Sequence, residues 1–463
     1  MSGEERYSTA LHIAIEEGLY EMALEIIEKG EDIHAQDDFG LTPLHRATMR
    51  RNTKIVKKLI DQGAEVNAKG DANEAPIHCA IKSGKKEIVK ILLDAGANVN
   101  ALFSYLLLTP LHLSSFGGHE QITKLLIDHG AEINAQNLKL ATPLHTCVFN
   151  GHKNIAELLI KSGANVNAQN DSNFSPLHVA IQNGYVEVAQ VLIENGADVN
   201  IVDVSNATPL HMAAWKGGGE TSTLLIQNEA KVNVKNANGA SPLHISTYMG
   251  YEDLVVYFLE NDADPGPSDS NGVTPLHIAA QSGNVEIARI LLVNGADINA
   301  LDRQSETPLH MVMWLNGSLE MVQFLVENGA NIKIKNSLGK TPLHNASSYG
   351  LVKIVEYLID VGADVNALDN SRYTSISYAV DNGNEETVLT LVKYGAHIDS
   401  RHMNSPLTVA CDMGKVNMVK ILLKLQSRLN ARMIVGQKAY TPVEILLTHK
   451  DQDILKTILH HGT

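Results

Sequence analysis

The string Thr-Pro-Leu-His stands at 42–45, 109–112, 142–145, 208–211, 274–277, 307–310 and 341–344. Near-copies fill the intervals: Thr-Ala-Leu-His at 9–12, Ala-Pro-Ile-His at 75–78 and Ser-Pro-Leu-His at 175–178 and 241–244, then eroded forms at 374–377, 405–408 and 441–444. At the histidine position the successive spacings are 33, 33, 34, 33, 33, 33, 33, 33, 33, 34, 33, 31 and 36 residues. A fixed period of this size is the mark of a chain built from stacked supersecondary units, here fourteen of them. They start near 7, 40, 73, 107, 140, 173, 206, 239, 272, 305, 339, 372, 403 and 439 and form one continuous array.

Residues 174–200, FSPLHVAIQNGYVEVAQVLIENGADVN, show what one unit builds. Ser175 can cap a helix whose first turn holds Pro176, where a missing N–H costs nothing. Leu177, Ala180 and Ile181 recur at helical spacing, and Gly184 supplies the left-handed turn that ends the helix. A second apolar helix runs through Val186, Val188, Ala189, Val191, Leu192 and Ile193 to Gly196, before an extended stretch and a polar turn. Two helices this short cannot bury their apolar faces alone, so each pair must stack on its neighbours. The expected fold class is an all-α solenoid.

With its TPLHxA motif, inter-helix glycine, GADVN tail and 33-residue period, the sequence resembles the ankyrin-repeat family from about Tyr7 to the C-terminus. The resemblance implies stacked helix-turn-helix units with projecting β-hairpin fingers. It also implies a concave face of fingers and first helices, a role in protein recognition, and no catalytic residues.

Two features depart from the pattern. Asn261-Asp262-Ala263-Asp264-Pro265-Gly266-Pro267 replaces the usual tail, and prolines cannot donate the bonds that tie neighbouring fingers, so a bend is expected at 262–270. Thr408 and Glu444 stand where histidine is usual, consistent with a C-terminal cap. Glu4, Glu5, Arg6, Glu21, Glu25 and Glu28 can cap the front.

Hydrophobic residues make up 44% and charged residues 19%, enough apolar side chain for a core and too little charge for disorder. The net charge of −15 argues against a phosphate backbone as partner of the whole chain. Cys79, Cys147 and Cys411 lie far apart and suggest neither a disulfide framework nor a cysteine zinc site. The opening MSGEERYSTA lacks the pattern of a signal peptide, and no apolar run approaches the ~18 residues of a membrane span. A cytoplasmic protein is expected, with the nucleus, or secretion as an effector, as alternatives.

The periodic histidines invite a metal reading, but copies on successive repeats about 8–10 Å apart cannot converge on one ion at ~2.0–2.1 Å. A hydrogen bond bridging repeats is the expected role. Leu338-Gly339-Lys340-Thr341 resembles the end of a phosphate-binding loop, yet Ile334 stands where that loop needs glycine. No Ser/His/Asp constellation lies outside the repeat, so no enzyme, cofactor, metal site or small-molecule substrate is expected. Asn67, Asn100, Asn134, Asn167, Asn200, Asn233, Asn299, Asn366 and Asn430 share one tail position, read as turn hydrogen bonding. The family resemblance adds hydroxylation there as an expectation.

The two residues before the inter-helix glycine point, by the family resemblance, into the concave face. From the fourth unit to the eleventh, six of eight such pairs hold an aromatic: Phe116, Phe149, Trp215, Tyr248, Trp314 and Tyr349. Aromatics are only 5% of the chain, and core positions are already filled by aliphatic residues, so these rings are expected to bind a protein or peptide partner. The alternative is that they pack back between repeats. The finger at 101–108 carries Leu102, Phe103, Tyr105 and Leu106 where other fingers are polar, and Leu138 and Leu140 would extend the patch. This finger either binds a partner or folds onto its neighbour.

Between Arg46 and Lys90 there are eleven Lys/Arg against five Asp/Glu. Arg50, Arg51, Lys54, Lys82, Lys85 and Lys86 could therefore hold an anionic partner: an acidic tail, a membrane surface or, less favoured, nucleic acid. A solvated helix face is the simpler account. The function expected is a non-catalytic scaffold or adaptor, whole or as the repeat portion of a larger protein.

Overall fold

The computed structural model describes residues 8–315, 317–398, 405–425, 427, 433–435, 438–441, 444 and 456. Among these, twenty-six α-helices between Ala10 and Lys424 form thirteen consecutive antiparallel pairs. Most of the fourteenth unit, Asn430, and the proposed front cap at Glu4 to Arg6 lie outside the described residues. Residues pack as two compact units, Met1–Lys231 and Val232–Thr463.

Local chemistry makes each pair. In the sixth repeat Ser175 accepts the His178 N–H, Pro176 opens the helix Pro176–Asn183, and Gly184 closes it at φ 76°. The second helix, Val186–Glu194, buries Val188, Ala189, Val191 and Leu192 against Leu177, Ala180 and Ile181. Within each unit first helices pack on first helices, and second helices pack on second helices. A repeat in the interior of a unit has no core of its own, because its helices are covered on two sides by those of neighbouring repeats. No helix among the described residues is long and apolar enough to cross a membrane.

The tenth repeat breaks the rule. Val312 and Met313 fill buried positions that Ala279 and Ala280 hold one repeat earlier, and the first helix shortens to Pro308–Met311 followed by a 3-10 turn, Val312–Trp314.

The fingers close as side-chain-locked turns rather than strand ladders. Asn137 Oδ1 accepts from the Lys139 and Ala141 N–H groups at 2.8 and 3.0 Å, and Asp37, Asn170, Asp203, Asn236, Asp269, Asp302, Asn336 and Asp369 do the same. Paired β structure among the described residues is limited to the Phe103–Leu108 bridge and the short antiparallel pair Met433–Val435 with Lys438–Tyr440.

The tail asparagines do more than close turns. Asn167 donates its amide to the Gly196 carbonyl and accepts the Asp198 N–H, so it clasps the following repeat. Asn67, Asn134, Asn200, Asn233 and Asn366 form the same two-bond clasp. Around Pro265 and Pro267 the ties to the preceding finger persist: Asp264 N–H to Asn233, Ser270 N–H to the Asn238 carbonyl, and Lys235 to the Ser268 carbonyl. Pro267 gives up only the local turn bond that Ala168 makes to Asn165 elsewhere. What this segment lacks toward the next repeat is the clasp itself, because Gly266 occupies the asparagine position.

Candidate interaction surface

The repeat histidines are structural. His112 Nδ1 takes both the Thr109 N–H and hydroxyl, at 3.3 and 2.8 Å, while Nε2 donates to the Ala141 carbonyl of the next repeat at 2.9 Å. A carbonyl only accepts, so the ring is neutral and protonated on Nε2. His12, His45, His145, His178, His244, His277 and His310 bridge in the same way. Burial pushes His78, His112 and His344 down to about 4, against a partial upward pull from the bonds their Nε2–H groups donate to backbone carbonyls. At Glu444, where histidine is missing, the carboxylate takes back the Thr441 N–H at 2.7 Å. No group of three or more His, Cys, Asp or Glu among the described residues is arranged to hold a metal ion.

The six aromatic residues of the first-helix face are all exposed, from 51% for Trp314 and Tyr349 to 65% for Tyr248. They do not pack back as core. Phe116, Phe149 and Trp215 lie in the first unit, Tyr248, Trp314 and Tyr349 in the second.

The apolar finger divides between its two readings. Leu102 and Tyr105 face solvent, Tyr105 at 80% exposure, as do Leu107, Leu138 and Leu140. Phe103 and Leu106 are half-buried and engaged with neighbours. The Phe103 ring lies 5.3 Å from the His78 ring with the Lys82 ammonium 3.9 Å from its centre, and the Leu106 carbonyl accepts the Leu138 N–H.

Much of the basic stretch is internally neutralised. Arg50 pairs with Glu16 at 2.8 Å, Lys54 with Glu21 at 3.6 Å, Lys58 with Glu28 at 2.8 Å and Lys82 with Glu74 at 2.7 Å. Arg46 lies between Asp37 and Glu16. Net charge along the sequence did not register these partners, which sit on adjacent repeats or fingers. Arg51, Lys85 and Lys86 are exposed and have no ion pair among the described residues.

One arrangement was not expected from the sequence. Finger carboxylates hold first-helix side chains in place: Asp37 holds Arg46, Glu74 holds Lys82, and Asp369 accepts the Tyr378 hydroxyl at 2.6 Å. In the tenth repeat, Glu306, only 6% exposed, accepts the Trp314 indole N–H at 3.1 Å and the Asn336 amide at 3.0 Å. The signal was present as Glu306 immediately before Thr307, where most repeats carry an apolar residue.

A family model described as ankyrin repeats in three copies matches residues 7–103, 105–170, 167–236, 210–302, 243–336 and 309–402. No curated protein matches the chain. The matched segments follow one another along nearly the whole of the helix-pair array, and the chain belongs to the ankyrin-repeat family.

Proposed function

We propose that the protein is a non-catalytic interaction scaffold that binds a partner protein or peptide through the first-helix face of its repeats. Family membership supports protein recognition in general. The observation that carries the finer reading is the run of solvent-facing rings at Phe116, Phe149, Trp215, Tyr248, Trp314 and Tyr349, each more than half exposed in a chain otherwise poor in aromatics. Large rings on a surface supply contact area with little rotamer entropy to lose, which is why they dominate binding energies. Leu102 and Tyr105 flank this face in the first unit.

Panning a random peptide library against the purified chain provides ligands whatever the natural partner is. Selected peptides are expected to lose at least ~2 kcal/mol of affinity when a contacting Trp215 or Trp314 is replaced by Ala. Unchanged affinity of all selected peptides for the folded Trp215→Ala/Trp314→Ala protein overturns the reading.

Binding of an anionic partner through Arg51, Lys85 and Lys86 is the second reading. It is the weaker one, because Arg50, Lys54 and Lys82 already have carboxylate partners. Steep loss of binding with added salt would favour it.

A further inference from the structure

We propose that the exposed face of Trp314 is a recognition site for a cationic side chain, arginine or lysine, in the bound peptide. The proposal rests on the reading of the first-helix face as a peptide-binding surface and specifies its ligand chemistry in the second unit.

Glu306 is buried beneath the ring edge, and both of its described side-chain partners are neutral: the Trp314 indole N–H and the Asn336 amide. It makes no ion pair among the described residues. A carboxylate at the N–H edge of an indole drives electron density toward the ring face. It thereby adds its own field to the ring quadrupole that attracts cations. The same hydrogen bond fixes the ring, so no rotamer freedom is lost when a ligand stacks on it.

The first-helix ends on either side of Trp314 carry no cation of their own. Among the described residues of the second unit the pairs that end the first helices are Tyr248/Met249, Gln281/Ser282, Trp314/Leu315, Ser348/Tyr349, Asp381/Asn382 and Asp412/Met413, with no Lys or Arg and with two carboxylates two and three repeats beyond Trp314. The corresponding positions of the first unit include Arg50, Lys82 and Lys216. Lys340, on the finger that follows, is engaged elsewhere, with its ammonium 4.1 Å from the centre of the Tyr378 ring. That contact is the chemistry proposed for Trp314, made there within the chain. Exposed Leu315, beside Trp314, offers an apolar surface for the methylene stem of an arginine or lysine.

The chain has two tryptophans, so Trp215→Phe leaves Trp314 as the only indole reporter. On this background, Trp314 emission is titrated with a seven-residue amidated peptide alternating leucine and arginine, and with versions carrying citrulline or glutamate in place of arginine. Citrulline keeps the shape of arginine and removes the charge. The arginine peptide is expected to bind at least tenfold tighter than the citrulline peptide, and Glu306→Gln to reduce that ratio at least threefold while leaving citrulline binding unchanged. Should Glu306→Gln unfold the chain, Trp314→Phe, which keeps a ring but has no N–H for Glu306, is expected to lower the ratio of arginine-peptide to citrulline-peptide affinity at least threefold by calorimetry, whatever it does to citrulline binding itself. Equal binding of arginine and citrulline peptides overturns the cation site and leaves the peptide-binding face standing. No response to any of the three peptides also overturns the cation site; if library-selected peptides are then indifferent to both tryptophans, the peptide-binding face falls with it.

Discussion

His45 donates its Nε2 hydrogen to the carbonyl oxygen of Glu74, 2.9 Å away and 29 residues later, so one neutral imidazole fastens two successive repeats. Ten of these repeat histidines are held below their ordinary value, chiefly by burial.

Acid should therefore weaken the array well above the carboxylate range. The unfolded chain takes up protons below 6.5, whereas the folded one holds His78, His112 and His344 neutral down to about 4. Stability is full above 6.5 and is lost as pH falls toward 4, by about 2 kcal/mol per such histidine at pH 5. Urea midpoints at pH 7.5, 6 and 5 should fall in that order. A constant midpoint contradicts the neutral-bridge assignment.

The asparagine clasp can be installed where it is missing. Gly266 has ordinary negative-φ backbone, its N–H already bonds Asp264 as Asn200 bonds Asp198, and an added Cβ meets nothing closer than 3.8 Å. Gly266→Asn should stabilise the second unit by about 1 kcal/mol, beyond what Gly266→Ala gains through chain entropy alone. Equal stability of the two variants would show that the clasp contributes nothing there.

Fingers stack closely enough that one glycine hydrogen matters. A Cβ on Gly272, at φ 81°, would lie 2.8 Å from the Arg303 nitrogen and 2.9 Å from Asp302 Cα, whereas one on Gly295, at φ 94°, meets nothing within 4 Å. Both alanine variants incur the left-handed strain of about 1 kcal/mol. Gly272→Ala should lose clearly more, and thermal melts giving equal losses would exclude the collision.

Some buried hydroxyls work against the fold. Ser115 and Ser347 are fully buried, and neither side chain has a hydrogen-bond partner among the described residues. Ser115→Ala and Ser347→Ala should each raise stability by about 1 kcal/mol, since leaving a buried donor unmade costs more than removing it. Loss of stability in both would point to partners for these groups that the folded chain acquires in solution.

The periodic features were legible in the sequence because each rests on a residue type with one physical use at one register. Proline at the helix start, histidine bridging forward and glycine at the turn are of this kind, and so was the exposure of Phe116 or Trp215, read by elimination from a core already full of aliphatic residues. Links that cross the period were not legible. Lys58 meets Glu28 and Arg50 meets Glu16 only because neighbouring repeats bring them together. Phe103 looked like a surface residue until the finger's β-bridge turned it toward His78 and Lys82. Glu306 reaches Trp314 from eight residues away across the loop-to-helix corner, a separation that neither helical nor strand periodicity would flag. Asn67 and its counterparts were recognised as a series, but their reach into the next repeat depends on stacking geometry that a linear reading does not contain.

The His45-type bond also decides which changes in chain length such a protein can absorb. Excising residues 173–205 would splice like onto like: His145 would meet the residue before Thr208 in the place it now finds Phe174, and every later partner would keep its register. Removing ten residues instead would leave a histidine reaching for a carbonyl that has moved out of range. Gain and loss of material in such a lineage is therefore quantised in whole modules, and the recognition face can be lengthened or shortened without being redesigned.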